Sequence, residues 1–330
     1  MKADLDLGVS LYGFTQRFVE RDDYGFEEMF RGLNALGIRK FELVGAQMFR
    51  SYPIPSDEEI AEVLELAAKY NVEPFSYGGY IDFAKRTDRD LTDEEMLREI
   101  TYDLMTAHRL GCRYLREPVP ARLMPAAAAM AERYQVAIGY EIHAPQRPSD
   151  PDVQELLHVF EKLDSPWVGF VPDFGCYIER PNKLSVDRFL GLGAKPENLQ
   201  YIIDHRWDGS TEAEMTAKMA EMGGGEAEKM AVSEWFGYLS FAPADLDGFR
   251  TVLPFARYFH GKFYHIGEDC VETTIPYEKL IRMAVESGFD GTLMIEYEGH
   301  TFYLDDAEEQ IARHIRMEKR ILADLQAENL

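Results

Sequence analysis

The chain has 330 residues, of which 46% are hydrophobic, enough for a large core. It carries 35 Lys and Arg against 59 Asp and Glu, a net charge of −24. This acidity excludes the basic surface that nucleic acids or anionic membranes attract. Cys112, Cys176 and Cys270 are widely spaced, which favours reduced thiols over disulfides or a thiolate zinc site. Acidic residues interrupt the first apolar stretch, MKADLDLGVSLYGF, so we expect no signal peptide or membrane span and a cytoplasmic protein.

Eight β-rich runs alternate with helical patterns along the chain. The predicted strands are 7–14, 39–46, 72–79, 112–119, 136–143, 167–174, 261–267 and 291–298. Capping boxes begin two of the intervening helices, with Ser56 three residues before Glu59 and Thr92 three residues before Glu95. No glycine-rich phosphate turn follows the first run, which disfavours an open doubly wound sheet. The pattern predicts an α/β fold, a single (β/α)₈ TIM-barrel domain over residues 1–330.

One interval is much longer than the others. Residues 181–260, between predicted strands six and seven, hold a Met-rich helical part and an aromatic part separated by three glycines at 223–225. We interpret this segment as a helical and aromatic insertion within the barrel domain. A lid, an assembly surface and extra helices packed on the barrel all fit this pattern.

Polar side chains stand at the carboxyl ends of four consecutive predicted strands. In order of strands five to eight they are Glu141, Asp173, His265 and Glu296. The carboxyl ends of barrel strands converge on one site, where a buried charge must be paired or metal-bound. We therefore predict that these four residues bind a metal; the alternative is an acidic pocket balanced by Arg116 or Arg180. Three carboxylates and one imidazole favour Mn²⁺, with Mg²⁺ or Co²⁺ also possible.

This barrel with Glu, Asp, His and Glu on strands five to eight resembles the xylose-isomerase-like sugar isomerase/epimerase superfamily, over about residues 5–325. In its ketose 3-epimerase members the two metal-bound glutamates act as acid and base, which implies catalytic roles for Glu141 and Glu296. Two departures disfavour simple ketose epimerisation: Cys176 replaces a frequent histidine, and no arginine follows His265 before Pro276.

Longer segments resemble a narrower family, the α (catalytic) subunits of the bacterial C-glycoside deglycosidases. The matching segments are 16–30, 44–53, 104–118, 139–145, 171–183 and 205–215. The resemblance implies a lyase that cleaves 3-oxo-C-glycosides of plant phenolics, and a smaller β subunit as partner in a hetero-oligomer.

The chemistry of that reaction indicates a base. A C–C glycosidic bond has no exocyclic oxygen to protonate, but a ketone at C3 acidifies the C2 proton, so the aglycone can leave C1 by β-elimination. His143 shares a strand face with Glu141 and lies nearer the loops, and imidazole is a common general base, so we predict that His143 is the catalytic base. Deprotonation of an aglycone phenol, or orientation of a carboxylate, are its alternative roles.

Other residues give weaker signals. Tyr12 and Tyr77 could stack on a sugar or pack in the core, Glu117 could bind a hydroxyl or pair with Arg116, and His300 could reach the rim. The residues 205–207 could line an aglycone pocket or form a structural loop, and His108 is expected on the barrel exterior.

Two other functions compete with the lyase. A metal-dependent sugar or inositol isomerase, epimerase or dehydratase would use the same four residues without a partner. A metal-dependent endonuclease would need more His and Asp ligands and a basic face, which a net charge of −24 disfavours.

Overall fold

The computed structural model describes residues 5–328. Its strands form one parallel sheet in the order β6-β5-β4-β3-β2-β1-β8-β7, so that each pairs with its neighbour along the chain except across the β6–β7 seam. They are β1 Asp6–Ser10, β2 Lys40–Val44, β3 Glu73–Gly78, β4 Tyr114–Arg116, β5 Ala137–Ile142, β6 Val168–Pro172, β7 Phe259–Phe263 and β8 Thr292–Tyr297. The predicted (β/α)₈ barrel is confirmed.

Helices follow the strands. The α-helices are α1 Thr15–Glu20, α2 Phe26–Ala35, α3 Gly45–Met48, α4 Asp57–Lys69, α5 Asp93–Leu110, α6 Met124–Tyr134, α7 Pro151–Leu163, α8 Lys183–Gly191, α9 Pro196–His205, α10 Glu212–Glu221, α11 Glu226–Phe236, α12 Leu246–Val252, α13 Tyr277–Glu286 and α14 Ala307–Glu328. Short 3₁₀ helices span Leu11–Phe14, Ala121–Leu123, Phe174–Tyr177, Leu253–Phe255 and Gly299–Phe302. Across residues 5–328, no helix is long and apolar enough to cross a membrane.

Local sequence signals set several helix boundaries. The Ser56 and Thr92 side chains accept hydrogen bonds from the backbone N–H groups of Glu59 and Glu95. The carboxylate of each glutamate in turn accepts a hydrogen bond from the backbone N–H of the same Ser or Thr, so both predicted capping boxes are confirmed. The long interval between β6 and β7 holds helices α8 to α12.

The barrel closes at the seam between β6 and β7. Two isolated parallel bridges join the strands there, Phe170 with Ala256 and Asp173 with His260. The second bridge sets Asp173 and His260 at the same height in the barrel. In the structure, strand β7 begins at Phe259, two residues before the predicted start, and ends at Phe263 rather than 267.

The barrel interior changes character along its axis. Its amino-terminal end is filled by a cluster of large buried side chains, including Phe75, Tyr114, Tyr258 and Met294. A second, larger apolar core lies between the strands and the helices. Because the lower barrel is packed with side chains, we expect a ligand site at the carboxyl ends of the strands.

The seam offers a test of the barrel closure. A Cβ at Gly169 in β6 would lie 2.4 Å from the carbonyl oxygen of Phe255 and 2.5 Å from Arg257 Nε. Arg257 Nε itself donates to the carbonyl of Val168 at 3.0 Å, so neither neighbour can move freely. We expect Gly169→Ala to destabilise the protein by about 1–3 kcal/mol through overpacking, measured by urea unfolding.

Gly191→Ala is the matched control. Gly191 ends α8, and a Cβ there would meet no atom of the described part of the chain within 4 Å. Because alanine has the higher helix propensity, this change should be neutral or stabilising by up to about 1 kcal/mol. Equal effects of the two substitutions would contradict the seam geometry.

Candidate functional site

Three strands place polar side chains two positions apart at the carboxyl end of the barrel. The pairs are Glu141 with His143 at β5, His260 with Lys262 on β7, and Glu296 with Glu298 at β8. Since side chains alternate faces along a strand, both members of each pair point to the barrel interior, the second nearer the mouth. We define Glu141, Asp173, His260 and Glu296 as the inner layer, and His143, Lys262 and Glu298 as the outer layer.

The inner layer is compact and buried. One carboxylate oxygen each from Glu141, Asp173 and Glu296 lies within 4.8 Å of the other two. His260 Nδ1 lies 2.7 Å from Glu141 Oε1 and 3.4 Å from Glu296 Oε1. Three of the four predicted metal-site residues therefore come together, and His260 completes the group.

The structure does not bring His265 to this group, which corrects the expectation for strand seven. His265 follows the end of β7 and its Nδ1 lies 3.3 Å from Gln310 Nε2, which reaches it from α14. His260 and His265 are five residues apart, an odd spacing, so a strand continued through both would point their side chains to opposite faces. The prediction started the strand at Gly261, one residue after His260, and so passed over the histidine that lies opposite Asp173.

The inner layer suits a cation. Four of its atoms are buried and make no hydrogen bond of good geometry within residues 5–328: Glu141 Oε1, Asp173 Oδ2, His260 Nδ1 and Glu296 Oε2. Two of them have the Lys262 ammonium as an ion-pair partner, which lies 2.9 Å from Asp173 Oδ2 and 3.4 Å from Glu296 Oε2. The His260 and Glu141 atoms are close, but their angle is not that of a hydrogen bond. Buried acceptors of this kind are costly unless something binds them. One such atom from each of four residues, three oxygens and one nitrogen, is the donor set of a hard or borderline divalent ion.

Glu42 and Arg116 support the inner layer from below. Arg116 donates from Nη1 to Glu141 Oε2 at 2.6 Å and from Nε to Glu42 Oε1 at 3.3 Å. Glu42 Oε2 lies 3.2 Å from His260 Nε2, on the far side of the imidazole from Nδ1. Arg116 therefore forms ion pairs with Glu42 and Glu141. The alternative prediction, an acidic pocket balanced by Arg116 or Arg180, expected such a pairing.

These charges set the pKa values of the inner layer. Burial alone would raise the pKa of Glu42, but Arg116 and His260 lower it to about 2. The same two cations hold the pKa of Glu141 well below its usual value against the effect of burial. Burial lowers the pKa of His260, yet Glu42, Glu296 and Glu141 outweigh it and raise the pKa well above 6.5. Glu42 and Glu141 are thus ionised, whereas burial raises the pKa of Asp173 despite the nearby Lys262.

Lys262 dominates the outer layer. It is 2% exposed, and its Nζ lies 2.9 Å from Asp173 Oδ2, 3.0 Å from Glu298 Oε1 and 2.6 Å from His143 Nε2. Burial would lower the pKa of Lys262, but Asp173, Glu298 and Glu296 raise it well above its ordinary value. Lys262 is therefore an ammonium ion in contact with both layers.

His143 has two distinct ring nitrogens. Its Nδ1 lies 2.7 Å from the carbonyl oxygen of Ala144, an acceptor only, so Nδ1 carries the proton. Its Nε2 then offers a lone pair to the Lys262 ammonium. Because the side chain is 44% exposed, this basic nitrogen stands at the boundary between the buried layers and the barrel mouth.

Sequence analysis missed His260, Lys262 and Glu42 as site residues. The first two were visible in the sequence as the spacing His-x-Lys, which matches Glu-x-His on β5 and Glu-x-Glu on β8. Glu42 stood in the predicted second strand as a lone acid between Phe41 and Leu43. An isolated charge within a buried strand was its signal.

The residues with weaker sequence signals divide between mouth and core. The rings of Tyr12 and His300 meet edge to face at 5.0 Å. Burial and the nearby carboxylates of Glu298 and Glu296 raise the pKa of the Tyr12 hydroxyl. Tyr77 and Glu117 are fully buried, and Glu117 faces Asp103 rather than Arg116.

The other candidates have structural neighbours. His108 is exposed on α5, near the ring of Tyr134. At the end of α9, His205 Nδ1 lies 2.6 Å from Asp208 Oδ2. Arg206 lies over the ring of Phe236 at 4.0 Å. Cys176 donates from Sγ to the carbonyl oxygen of Ile142 at 3.0 Å, so the buried thiol fixes the β5 end to the turn after β6.

Known proteins resemble this chain over nearly its whole length. The 3'-dehydrocarminate deglycosidase alpha subunit of a Microbacterium species is 29% identical, with 98% of this chain and 97% of that protein covered. The C-glycoside deglycosidase alpha subunit of Microbacterium trichothecenolyticum is 28% identical, over 88% of this chain and 83% of that protein. These matches confirm the resemblance inferred from the sequence segments.

A solved structure shows the same fold. A D-psicose 3-epimerase crystallised with D-fructose superposes with a TM-score of 0.56, covering 96% of this chain and 99% of that one, at 10% identity. The family model described as a xylose isomerase-like TIM barrel matches residues 30–321. The chain therefore belongs to the xylose isomerase-like TIM barrel family.

Proposed function

We propose that this chain is the catalytic subunit of a C-glycoside deglycosidase, a divalent-metal-dependent lyase that cleaves 3-oxo-C-glycosides of plant phenolics by β-elimination. The observation that carries the proposal is the two-layer site, in which one buried ligand atom from each of four side chains lies beneath a histidine base and a buried ammonium. The names of the relatives supply the substrate class.

The inner layer is assigned to the metal. Glu141, Asp173, His260 and Glu296 would hold it, with Mn²⁺ favoured and Mg²⁺ or Co²⁺ as alternatives. Once bound, such an ion supplies a Lewis acid that lowers the cost of negative charge on neighbouring sugar oxygens. Three carboxylates and the imidazole nitrogen of His260 fit this role, and no thiolate ligand is needed.

His143 is assigned to proton transfer. Its Nε2 takes the C2 proton of the sugar, the C2 electron pair forms the C2–C3 double bond of an enolate, and the C3 carbonyl electrons move to oxygen. When the carbonyl re-forms, a C1–C2 double bond appears and the C1–aglycone bond breaks. The aglycone carbon keeps that electron pair and takes up a proton, which the His143 imidazolium can return. No oxidant or reductant is consumed.

Lys262 is assigned to the outer oxygen of the reacting sugar. Its Nζ bridges Asp173, Glu298 and His143, so it is fixed at the junction of the two layers. A substrate oxygen that replaces His143 as its acceptor would free Nε2 for the proton and place an ammonium against the developing negative charge. Glu298 then retains the ammonium in place.

The active form is proposed to be a hetero-oligomer with a smaller β subunit. This rests on the designation of both relatives as alpha subunits. Tyr238, in the long interval between β6 and β7, is 71% exposed, and partial burial and the nearby charge of Glu298 raise its pKa. This part of the interval therefore lies beside the barrel mouth, which such a partner or an aglycone would approach.

The reaction itself is the first test. Purified protein with Mn²⁺ and a 3-oxo-C-glucoside, in the presence of the product of a neighbouring small open reading frame, should release free aglycone, followed by chromatography and absorbance. Removal of the metal with a chelator should abolish this release, and Mn²⁺ should restore it. Turnover of a free ketose, with no aglycone released from the C-glycoside, would instead identify an isomerase, epimerase or dehydratase.

The role of His143 gives a second prediction. His143→Ala should lower the rate by at least about 100-fold, the usual scale for loss of a general base, while the affinity for Mn²⁺ stays near that of the wild type. Rates come from aglycone release and affinity from calorimetry. His108→Ala, an exposed histidine of α5, is the control and should leave both values unchanged. Loss of metal in His143→Ala would show that the residue is a ligand.

The two histidines after the seam give a third prediction. Because His260 faces the carboxylates and His265 faces Gln310, His260→Ala should weaken Mn²⁺ binding by more than about 100-fold, beyond the loss typical of an outer-shell residue. His265→Ala should bind Mn²⁺ like the wild type. Calorimetric titration of the metal-free proteins measures both. The reverse pattern would restore the assignment of His265 as the ligand.

A further inference from the structure

Glu42 is a charged side chain in the closed interior of the barrel. It lies in the middle of β2, is fully buried, and stands opposite Ser10 of β1 and Ser76 of β3 in the sheet register. A buried carboxylate costs free energy, and well-packed apolar residues usually serve stability as well or better. Its presence therefore calls for an explanation other than folding.

The two oxygens of Glu42 are saturated with donors. Ser10 Oγ donates to Oε1 at 3.2 Å and Arg116 Nε donates to the same oxygen at 3.3 Å. Tyr258 Oη donates to Oε2 at 2.7 Å and Ser76 Oγ at 2.9 Å. With both oxygens so occupied, Glu42 is a poor candidate for a metal ligand, although it lies close to His260 and Glu296.

The remaining contact of Glu42 points at the inner layer. Its Oε2 lies 3.2 Å from His260 Nε2, and an ionised carboxylate only accepts hydrogen bonds, so Nε2 must carry the proton. The other ring nitrogen, Nδ1, is the atom that faces Glu141 and Glu296, and it makes no hydrogen bond to any residue that the structure describes. The imidazole is thus oriented by a fixed acceptor behind it.

We propose that Glu42 is the positioning residue of the metal site: by accepting the Nε2 proton of His260 it fixes the ring and the tautomer, so that the Nδ1 lone pair projects into the inner layer. This inference rests on the proposed function, because it assigns His260 as a ligand. A carboxylate behind a metal-bound histidine also increases the basicity of the ring, and loss of such a partner typically weakens metal binding by about 10–100-fold.

Arg116 makes the arrangement specific to this barrel. One guanidinium binds both Glu42 and Glu141. Because the guanidinium is planar and rigid, it orients Glu141 directly and His260 through Glu42. The donors on β1, β3 and β7 hold Glu42 from three further directions. The groups that hold Glu42 therefore come from β1, β3, β4 and the residue before β7.

The test compares Glu42→Gln with Tyr258→Phe. The first variant keeps the shape but removes the charge that faces Nε2. The second removes a different hydrogen bond to the same oxygen and leaves the charge. We expect Glu42→Gln to weaken Mn²⁺ binding by about 10–100-fold, and Tyr258→Phe to weaken it by less than tenfold, in calorimetric titrations of metal-free protein whose thermal unfolding is recorded in parallel.

A spectroscopic readout separates positioning from general loss of structure. In Zn²⁺-loaded protein labelled with ¹⁵N-histidine, the wild type should show an exchange-protected Nε2 proton on His260 at low field. In Glu42→Gln this proton should move upfield. If that variant does not fold, Glu42→Asp, which keeps the charge but withdraws it from Nε2, should show the same two changes in smaller degree.

The outcomes are distinct. Wild-type affinity and an unmoved Nε2 proton in a folded Glu42 variant would overturn the inference and leave the proposed function intact. Equal losses in Glu42→Gln and Tyr258→Phe would also overturn it, since any damage to the core would then suffice. A wild-type protein that binds no divalent metal would overturn the proposed function together with the inference.

Discussion

Mutual repulsion among buried carboxylates is the constraint on which the upper half of this barrel depends. Five of them, on strands β2, β5 and β8 and directly after β6 and β8, converge within a space that water hardly reaches: Glu42, Glu141, Asp173, Glu296 and Glu298. Arg116 and Lys262 are the permanent cations in contact with them. Because the acids outnumber these cations, the folded chain retains a strong attraction for additional positive charge.

The two cations divide the carboxylates between two tasks. Arg116 lies below and pairs with Glu42 and Glu141, in the part of the site that we assign to a metal ion. Lys262 lies above and links Asp173 and Glu298 to His143, in the part of the site that we assign to the substrate. The vertical separation follows from strand geometry, since residues two apart on one strand share a face but differ in height. An elimination that needs both charge stabilisation and a base matches this division.

The lower barrel and the helices explain why such a costly site is tolerated. Aromatic and aliphatic side chains fill the amino-terminal half of the interior, and a continuous apolar core joins the strands to the helices. That apolar burial is the main source of folding free energy. The polar half contributes function at the expense of stability, as is usual where charged groups are gathered before a ligand binds.

Local patterns in the sequence determined the barrel, the order of its strands, and most of the polar residues at their ends. Alternating apolar runs and capping boxes act over a few residues, so they can be recognised without the fold. Glu141, Asp173, Glu296 and His143 were found because each closes an apolar run. The tertiary structure alone decided strand seven, where glycine and two histidines allow more than one register. The choice of His260 over His265 follows from the bridge with Asp173 across the seam, a long-range contact that local propensity does not encode. The same holds for Glu42: its position among five donors, four of them on four other strands, exists only once the barrel has closed.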